Sequence, residues 1–173
     1  MKSERAYIGI GSNLGDRIAN CKQAIAAVSH LPGVTAAVAS SLYETAPVLP
    51  ATGSWFVNGV VSIETTLPPE ALFRELQRIE QVAGRPADRE RGEDRRIDLD
   101  LLLVGSGTIE RPDLVLPHPR LHVRRFVLVP LCEIAPDLRH PVLGVTMREL
   151  LERLDDPSVV RLLPREVLPA PTG

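Results

Sequence analysis

The sequence has little of what marks a secreted, membrane-embedded or nucleic-acid-binding chain. Only two cysteines occur, Cys21 and Cys132, far apart and in no C-x-x-C pair, which excludes a disulfide framework or a cysteine metal site. Cys21 falls at helical spacing with Leu14, Ile18, Ile25 and Val28, so it reads as a buried structural thiol. No apolar run approaches membrane-spanning length, and Tyr7–Ile10, after the polar Met1–Arg5, is too short for a signal-peptide core. A cytoplasmic protein with no membrane contact is expected. Charge of one sign is missing too: 20 basic against 22 acidic residues leave a net charge of −2, without the basic footprint of a nucleic-acid binder. The four histidines are scattered without metal-ligand spacing. No G-x-x-x-x-G-K-[ST] loop occurs, and Gly9-Ile10-Gly11 does not complete a dinucleotide fingerprint. No serine or cysteine sits in a convincing nucleophile setting.

What remains is an ordinary globular composition in 173 residues, 44% hydrophobic and 24% charged, the size of one domain. Tyr7–Ile10 reads as a short strand, and Gly11-Ser12-Asn13 as a turn opening a helix whose apolar face is Leu14, Ile18, Cys21, Ile25 and Val28. Pro32-Gly33 stops that helix. Alternation from Val34 through Leu42 predicts one long strand ending near Glu44. A loop over 45–54 leads to a second long strand, 56–65. Pro68-Pro69 then opens a helix with Leu72, Leu76, Ile79 and Ala83 inward, closed by Gly84. A polar loop with five arginines and four acids spans 85–96, followed by a leucine-rich strand, 97–104. Helices are expected over 125–134 and 147–154. The order strand–helix–strand–strand–helix–strand is the ferredoxin-like βαββαβ arrangement, an α+β fold with a mostly antiparallel sheet flanked by helices, here with an irregular C-terminal extension. Residues 1–156 read as one domain and 157–173 as a proline-rich tail, draped on the surface or loose.

The sharpest local signal is Arg95-Arg96-Ile97-Asp98-Leu99-Asp100-Leu101-Leu102-Leu103. Alternate residues of a strand share a face, so Asp98 and Asp100 point together while Ile97, Leu99, Leu101 and Leu103 point away. Paired carboxylates repel unless solvated or neutralised by cations. They suit Mg²⁺, which takes one or two carboxylates plus substrate phosphates; an exposed strand edge kept soluble by two aspartates explains them equally well. Arg95 sits three residues before Asp98 and Arg85 follows the preceding helix, and arginine forks match phosphate oxygens. Arg89, Arg91 and Arg96 read instead as solvated charges paired with the loop's acids. Phe56 and Asn58 alternate onto one face of their strand, and Trp55-Phe56 at a strand start suits a flat stacking ligand, though an aromatic there is more often core. Asn58 at mid-strand needs several hydrogen-bond partners, which a heterocycle edge could supply. His118, held between Pro117 and Pro119, has a fixed backbone.

Six segments in order carry a family likeness: Tyr7 to Gly15, Tyr43 to Val48, Phe56-Val57-Asn58, Gln77-Arg78-Ile79-Glu80, Arg95 to Leu103, and Pro117 to Arg120 leading to Arg124 through Leu128. Together they resemble 6-hydroxymethyl-7,8-dihydropterin pyrophosphokinases. The resemblance implies an ATP-dependent diphosphokinase of folate biosynthesis, moving diphosphate from ATP to the pterin hydroxyl and releasing AMP. It implies that Asp98 and Asp100 bind two Mg²⁺ ions bridging the ATP phosphates. Phe56 and Phe126 would sandwich the pterin, and Asn58, Thr45 and Val48 would recognise its edge, the last two partly through backbone. Gln77, Glu80, His118 and Arg124 would line the nucleotide site, with Leu101 against adenine, and Arg85 and Arg95 would be the mobile-loop cations acting in transfer. ATP and the pterin are the expected partners, nucleic acid is not, and the expected state is a monomer. Gly92-Glu93-Asp94 departs from the family's usual aromatic and Gly-Pro before the loop arginine, which implies looser closure or other contacts there. The rival reading is a non-catalytic ferredoxin-like module that binds a pterin or nucleotide or another protein. A two-metal site argues against it, since a neutral pterin alone requires none.

Overall fold

In the computed structural model, which describes residues 2–47, 54–84 and 95–165, three strands of alternating pattern make the centre of the sheet. β1 (Glu4–Ser12) lies between β4 (Phe56–Thr65) and β5 (Asp98–Val104), antiparallel to both. β2 (Val34–Ala39) and β3 (Tyr43–Thr45) both pair with the far side of β4, giving the ferredoxin-like order expected from the sequence. Helices α1 (Arg17–Ser29) and α2 (Pro69–Val82) cover one face, burying Ile8, Ile10, Val57, Val61, Leu72 and Leu76 beneath them. Among the described residues the other face is covered at one end only, by α3 (Arg125–Ile134) and α4 (Met147–Arg153) over Tyr7, Val60, Leu102 and Leu103. A small hairpin, β6 (Ile109–Glu110) with β7 (Val115–Leu116), follows β5.

Four sequence expectations are corrected. The long strand over 34–44 is broken in two, because Ser40 substitutes for the regular ladder: its N–H donates to the Val60 carbonyl and its hydroxyl accepts from the Val60 N–H. Ala39 pairs with Val61 but Tyr43 with Asn58, so the pairing slips by one residue and the faces reverse; Val38 is 58% exposed while Leu42 packs on the core. A slip of this kind is what a bulge does. Leu14 lies outside α1, because Asp16 caps the helix by accepting from the Ala19 N–H. Leu103 does not share a face with Leu99 and Leu101: Tyr7 opposes Leu103 and Ile8 opposes Leu101, so the extra Leu102 turns the strand over and both Leu102 and Leu103 enter the α3 side. Finally, the sheet does not end before residue 157. β8 (Val160–Leu162) is its outermost strand, paired with β3.

The helix expectations for α2 and α3 agree with the structure. Leu72, Leu76 and Ile79 are buried along α2, and Gly84 follows with φ +102, a left-handed turn that favours glycine. Cys21 is fully buried against the Val57 carbonyl, and burial pushes its thiol up to about 12. It is structural.

Candidate active site

The uncovered end of the second face is where the chemistry-bearing residues gather. In antiparallel pairing, directly opposed residues share a face. Asp98 opposes Gly11, and Gly11 opposes Asn58. One row across three strands therefore reads carboxylate, bare glycine, amide, spanning roughly 10 Å at the usual strand spacing. The neighbouring row sets Asp100 beside Gly9. Close approach requires the glycine at Gly11, whereas a Cβ at Gly9 would meet only ordinary contacts, 3.6 Å from Leu102 and 3.8 Å from Asp100. A Cβ on Gly11 would come within 2.7 Å of the Asn58 Oδ1 and 3.8 Å of the Phe56 ring. Glycine thus leaves a floor on which Asn58 and Phe56 can lie flat.

At the amide end, Asn58 Nδ2 donates to Thr45 Oγ1 at 2.6 Å, and both residues are buried. Since the Thr45 hydroxyl accepts from the amide, its own hydrogen is directed elsewhere, and Asn58 Oδ1 lies over Gly11. A donor and an acceptor side by side match the edge of a heterocycle. Phe56 opposes Thr45 on the same wall. Phe126, in the first turn of α3, packs on the second core cluster and lies under the Arg124 guanidinium, 5.4 Å from ring centroid to Cζ. Trp55 does not join them: its ring is covered by Arg161 at 4.8 Å, and its carbonyl accepts from Arg17.

At the carboxylate end, Arg95 Nη1 bonds Asp98 Oδ1 at 2.9 Å, with both side chains roughly one-fifth to one-quarter exposed. Asn13 fixes this arginine's backbone twice, accepting from Arg95 N–H through Oδ1 at 2.5 Å and donating its own N–H to the Arg95 carbonyl at 3.0 Å. His118 is tied to the same strand by its N–H, which donates to the Leu102 carbonyl at 2.7 Å; the Leu116–Pro117 peptide before it is cis. His118 Nδ1 accepts from the Arg120 N–H, which places the proton of the neutral ring on Nε2. Burial holds the His118 pKa down, helped by Arg124 and Arg120 and opposed by Asp98. Arg124 is likewise lowered by burial, while Asp100 and Asp98 pull it up. Asp98, Asp100, His118, Arg120 and Arg124 therefore act on one another electrostatically.

The structure thus brings together Arg95, Asp98, Asp100, Thr45, Phe56, Asn58, Phe126, His118 and Arg124. It sets three expected residues apart. Gln77 and Glu80 lie on α2, on the opposite face; Gln77 lines a cavity of about 290 Å³ with Phe73, Arg74 and Arg111. Leu101 points into the core beneath α1 and α2 and is 4% exposed, so only its backbone, on the edge strand β5, remains for a ligand. Val48, Arg85 and the Gly92-Glu93-Asp94 stretch lie outside the described residues. Asn13, Arg120 and the glycine floor were not singled out from sequence. Asn13 sits in a Gly-Ser-Asn turn that reads as a helix opening, and Arg120 is one arginine among many.

The carboxylate pair fits a divalent metal–phosphate centre by its donor set. Asp98 and Asp100 supply hard oxygens on one face, and among the described residues no group of three His, Cys, Asp or Glu side chains forms a metal cage. A site with few protein ligands and cationic neighbours suits an ion that completes its shell with phosphate and water.

The chain is similar to proteins of known family. The family profile of 7,8-dihydro-6-hydroxymethylpterin-pyrophosphokinase (HPPK) matches residues 7–136. The 2-amino-4-hydroxy-6-hydroxymethyldihydropteridine pyrophosphokinase of Haemophilus influenzae is 41% identical over 159 residues, 92% of this chain and 98% of its own length. The folic acid synthesis protein fol1 of Pneumocystis carinii is 40% identical over 94% of this chain, which spans only 22% of that longer protein. Among solved structures, wild-type Plasmodium falciparum HPPK-DHPS with pteroate aligns at a TM-score of 0.69 with 17% identity, over 87% of this chain and 42% of its own, a likeness of fold. No described helix is long and apolar enough to cross a membrane. With a matching family profile over most of its length and a pyrophosphokinase of its own size at 41% identity, the chain belongs to the HPPK family.

Proposed function

We propose that the uncovered face carries out the family's reaction, transfer of diphosphate from ATP to the hydroxyl of 6-hydroxymethyl-7,8-dihydropterin in folate biosynthesis. The observation that carries this reading is the cross-sheet row Asp98–Gly11–Asn58. It sets a phosphate-and-metal end and a heterocycle end on one floor, roughly 10 Å apart. In the reaction the pterin hydroxyl oxygen bonds to the β-phosphorus, the bond from that phosphorus to the bridging oxygen breaks, and AMP leaves with the electron pair. The hydroxyl proton passes to solvent.

Each residue has a positioning or electrostatic task, as such transfers require. Asn58 and Thr45 read the pterin edge, a role that family likeness also gives to Val48, while Phe56 and Phe126 hold the two ring faces. Asp98 and Asp100 are the ligands for Mg²⁺, two ions in this reading, and the metal supplies charge neutralisation on the phosphates. Arg95 neutralises Asp98 in the structure; with the carboxylate shared with a metal, its guanidinium is placed for a phosphate oxygen. Arg85 acts with it. His118 and Arg124 hold the nucleotide phosphates from the α3 side. Because β5 is the edge of the sheet, a nucleotide can pass around it, meeting the Leu101 backbone and then Gln77 and Glu80 on α2. A cytoplasmic monomer is part of the same proposal; the two free cysteines, Cys21 and Cys132, fit a reducing compartment.

The test is product identification. With ATP, Mg²⁺ and the pterin, AMP is expected to accumulate in step with a pterin diphosphate. ADP as the product, or nucleotide turnover indifferent to the pterin, overturns the reading.

A further inference from the structure

The segment 156–163 is bonded to both walls of the pterin site. Asp156 Oδ2 accepts from the N–H of Arg125, the first residue of α3, at 3.2 Å. Arg124, at the N-cap, offers no side-chain capping bond of its own, so a carboxylate from 31 positions along the chain supplies it. Asp156 Oδ1 accepts from Ser158 N–H at 2.9 Å, folding the chain back toward β3. There Val159 O accepts from Ala46 N–H, Val160 pairs with Thr45, Leu162 with Tyr43, and Leu163 N–H donates to the Leu42 carbonyl. Arg161 adds a guanidinium over Trp55 and an ion pair to Glu44 at 3.5 Å. One end of the segment thus holds the helix start that carries Arg124 and Phe126, and the other holds the strand that carries Thr45.

We propose that this segment is a strap setting the separation of the two pterin-binding walls, with Asp156 as its positioning residue. The proposal rests on the reading that the pterin lies between Phe126 and the Thr45–Asn58 pair. Two features favour positioning over bulk stability. Half of the strap's residues are exposed, Arg161 at 62% among them, and none is fully buried, and β3 and α3 are each already packed on β4. α3 already meets β3 at its other end, where the Tyr43 hydroxyl donates to Glu133 Oε1; the strap adds a tie at the end of α3 that carries Phe126, and so sets how closely the two walls fit the pterin. Burial works to raise the Asp156 pKa, but the Ser158 N–H and hydroxyl, the Arg125 N–H and the Arg125 charge together outweigh it and hold the carboxyl below its ordinary range. It is therefore charged at neutral pH, at the positive end of the α3 dipole.

The test uses the full chain and two variants. In Asp156→Asn a single amide oxygen replaces the two carboxylate oxygens, so one of the two N–H bonds is lost. Pterin is titrated in the presence of Mg²⁺ and a non-hydrolysable ATP analogue, and the analogue is titrated separately. For Asp156→Asn the pterin Kd is expected to rise about tenfold, the size of a lost helix cap. The nucleotide Kd should change less than about threefold, because ATP meets only one of the two walls and is held mainly at β5 and α2, and kcat at saturation should stay within about twofold. Arg161→Ala, which loosens only the β3 end, should raise the pterin Kd by a smaller factor and leave the nucleotide Kd alone. An unchanged pterin Kd in Asp156→Asn overturns the proposal. So does an equal loss for both ligands with a lower melting temperature, the mark of general damage. Should Asp156→Asn not fold, Arg161→Ala decides alone, and an unchanged pterin Kd there is fatal. A wild-type chain that binds no pterin overturns the functional reading instead, before any variant is made.

Discussion

On the face under α1 and α2, β1, β4 and β5 present Ile8, Ile10, Val57, Val61 and Leu99, all nearly or fully buried. On the opposite face the intervening positions are Gly9, Gly11, Asn58, Asp98 and Asp100, and α3 stops short of them. The backbone ladder is shared, so the difference comes only from alternate side chains and from where the covering helix begins. The first face is dry, and removing methyl groups there opens cavities. The second carries two like charges and a buried amide–hydroxyl pair, an arrangement that adds little to stability. Substitutions on the two faces should therefore fail in different ways: stability on one, binding and rate on the other.

The largest effect short of the carboxylates themselves is expected at Arg95. Its backbone is clipped by Asn13, so removing the guanidinium should leave the chain's path intact. Loss of a positioned charge donor typically costs ~10²–10³ in rate, and Arg95→Ala should lower kcat by that much with an unchanged circular dichroism spectrum. A variant with nearly full kcat would reduce Arg95 to a counterion for Asp98.

Phe126→Ala comes next. Aromatic stacking on a flat ring contributes on the order of 1–3 kcal/mol, so pterin affinity should fall about tenfold to hundredfold while nucleotide affinity changes little. Since Arg124 lies over the same ring, equal losses for both ligands would show that Phe126 serves Arg124 rather than the pterin.

The smallest effect concerns pH. The His118 pKa is held below the ordinary histidine value of 6.5, chiefly by burial. As pH falls through 6.5, the unfolded chain takes up the proton before the folded one does. Stability therefore declines from 6.5 down to the folded-state value and is level below it. His118→Gln should remove this part of the decline, shrinking the drop in melting temperature between about pH 7.5 and 5.5 by on the order of a degree. His140, also lowered mainly by burial, keeps the remaining slope. Identical slopes in wild type and variant would place His118 in a solvated setting.

Much of this was legible because the relevant signals are local. Alternation alone places Asp98 with Asp100 and Phe56 with Asn58, and a proline pair and a glycine bracket α2. What escaped depends on single residues that interrupt a period. Ser40 replaces one ladder bond with its hydroxyl and splits an apparently continuous strand; Leu102 is one residue too many opposite β1 and reverses Leu103; Asp16 caps α1 later than the apolar pattern begins. β8 escaped for another reason. Three residues, Val160–Leu162, carry no period of their own, and their partner strand is more than a hundred residues earlier in the chain. Gln77 and Glu80 were grouped with the nucleotide by family likeness, and only the edge position of β5 explains how residues on the opposite face could reach the same ligand.

The central claim is that the carboxylate face serves catalysis and not folding. It is tested most directly by measuring kcat and melting temperature together for Asp98→Asn, with Ile63→Ala on the covered face as its mirror. Asp98→Asn should lose most turnover and its Mg²⁺ dependence, while its melting temperature moves by less than about 4 °C, as loss of one partly exposed ion pair allows. Ile63→Ala, fully buried, should lose about 2–5 kcal/mol of stability yet keep kcat where it remains folded. A folded Asp98→Asn variant with near-normal turnover and unaltered Mg²⁺ dependence would contradict the account and return the two aspartates to the role of an ordinary solvated strand edge.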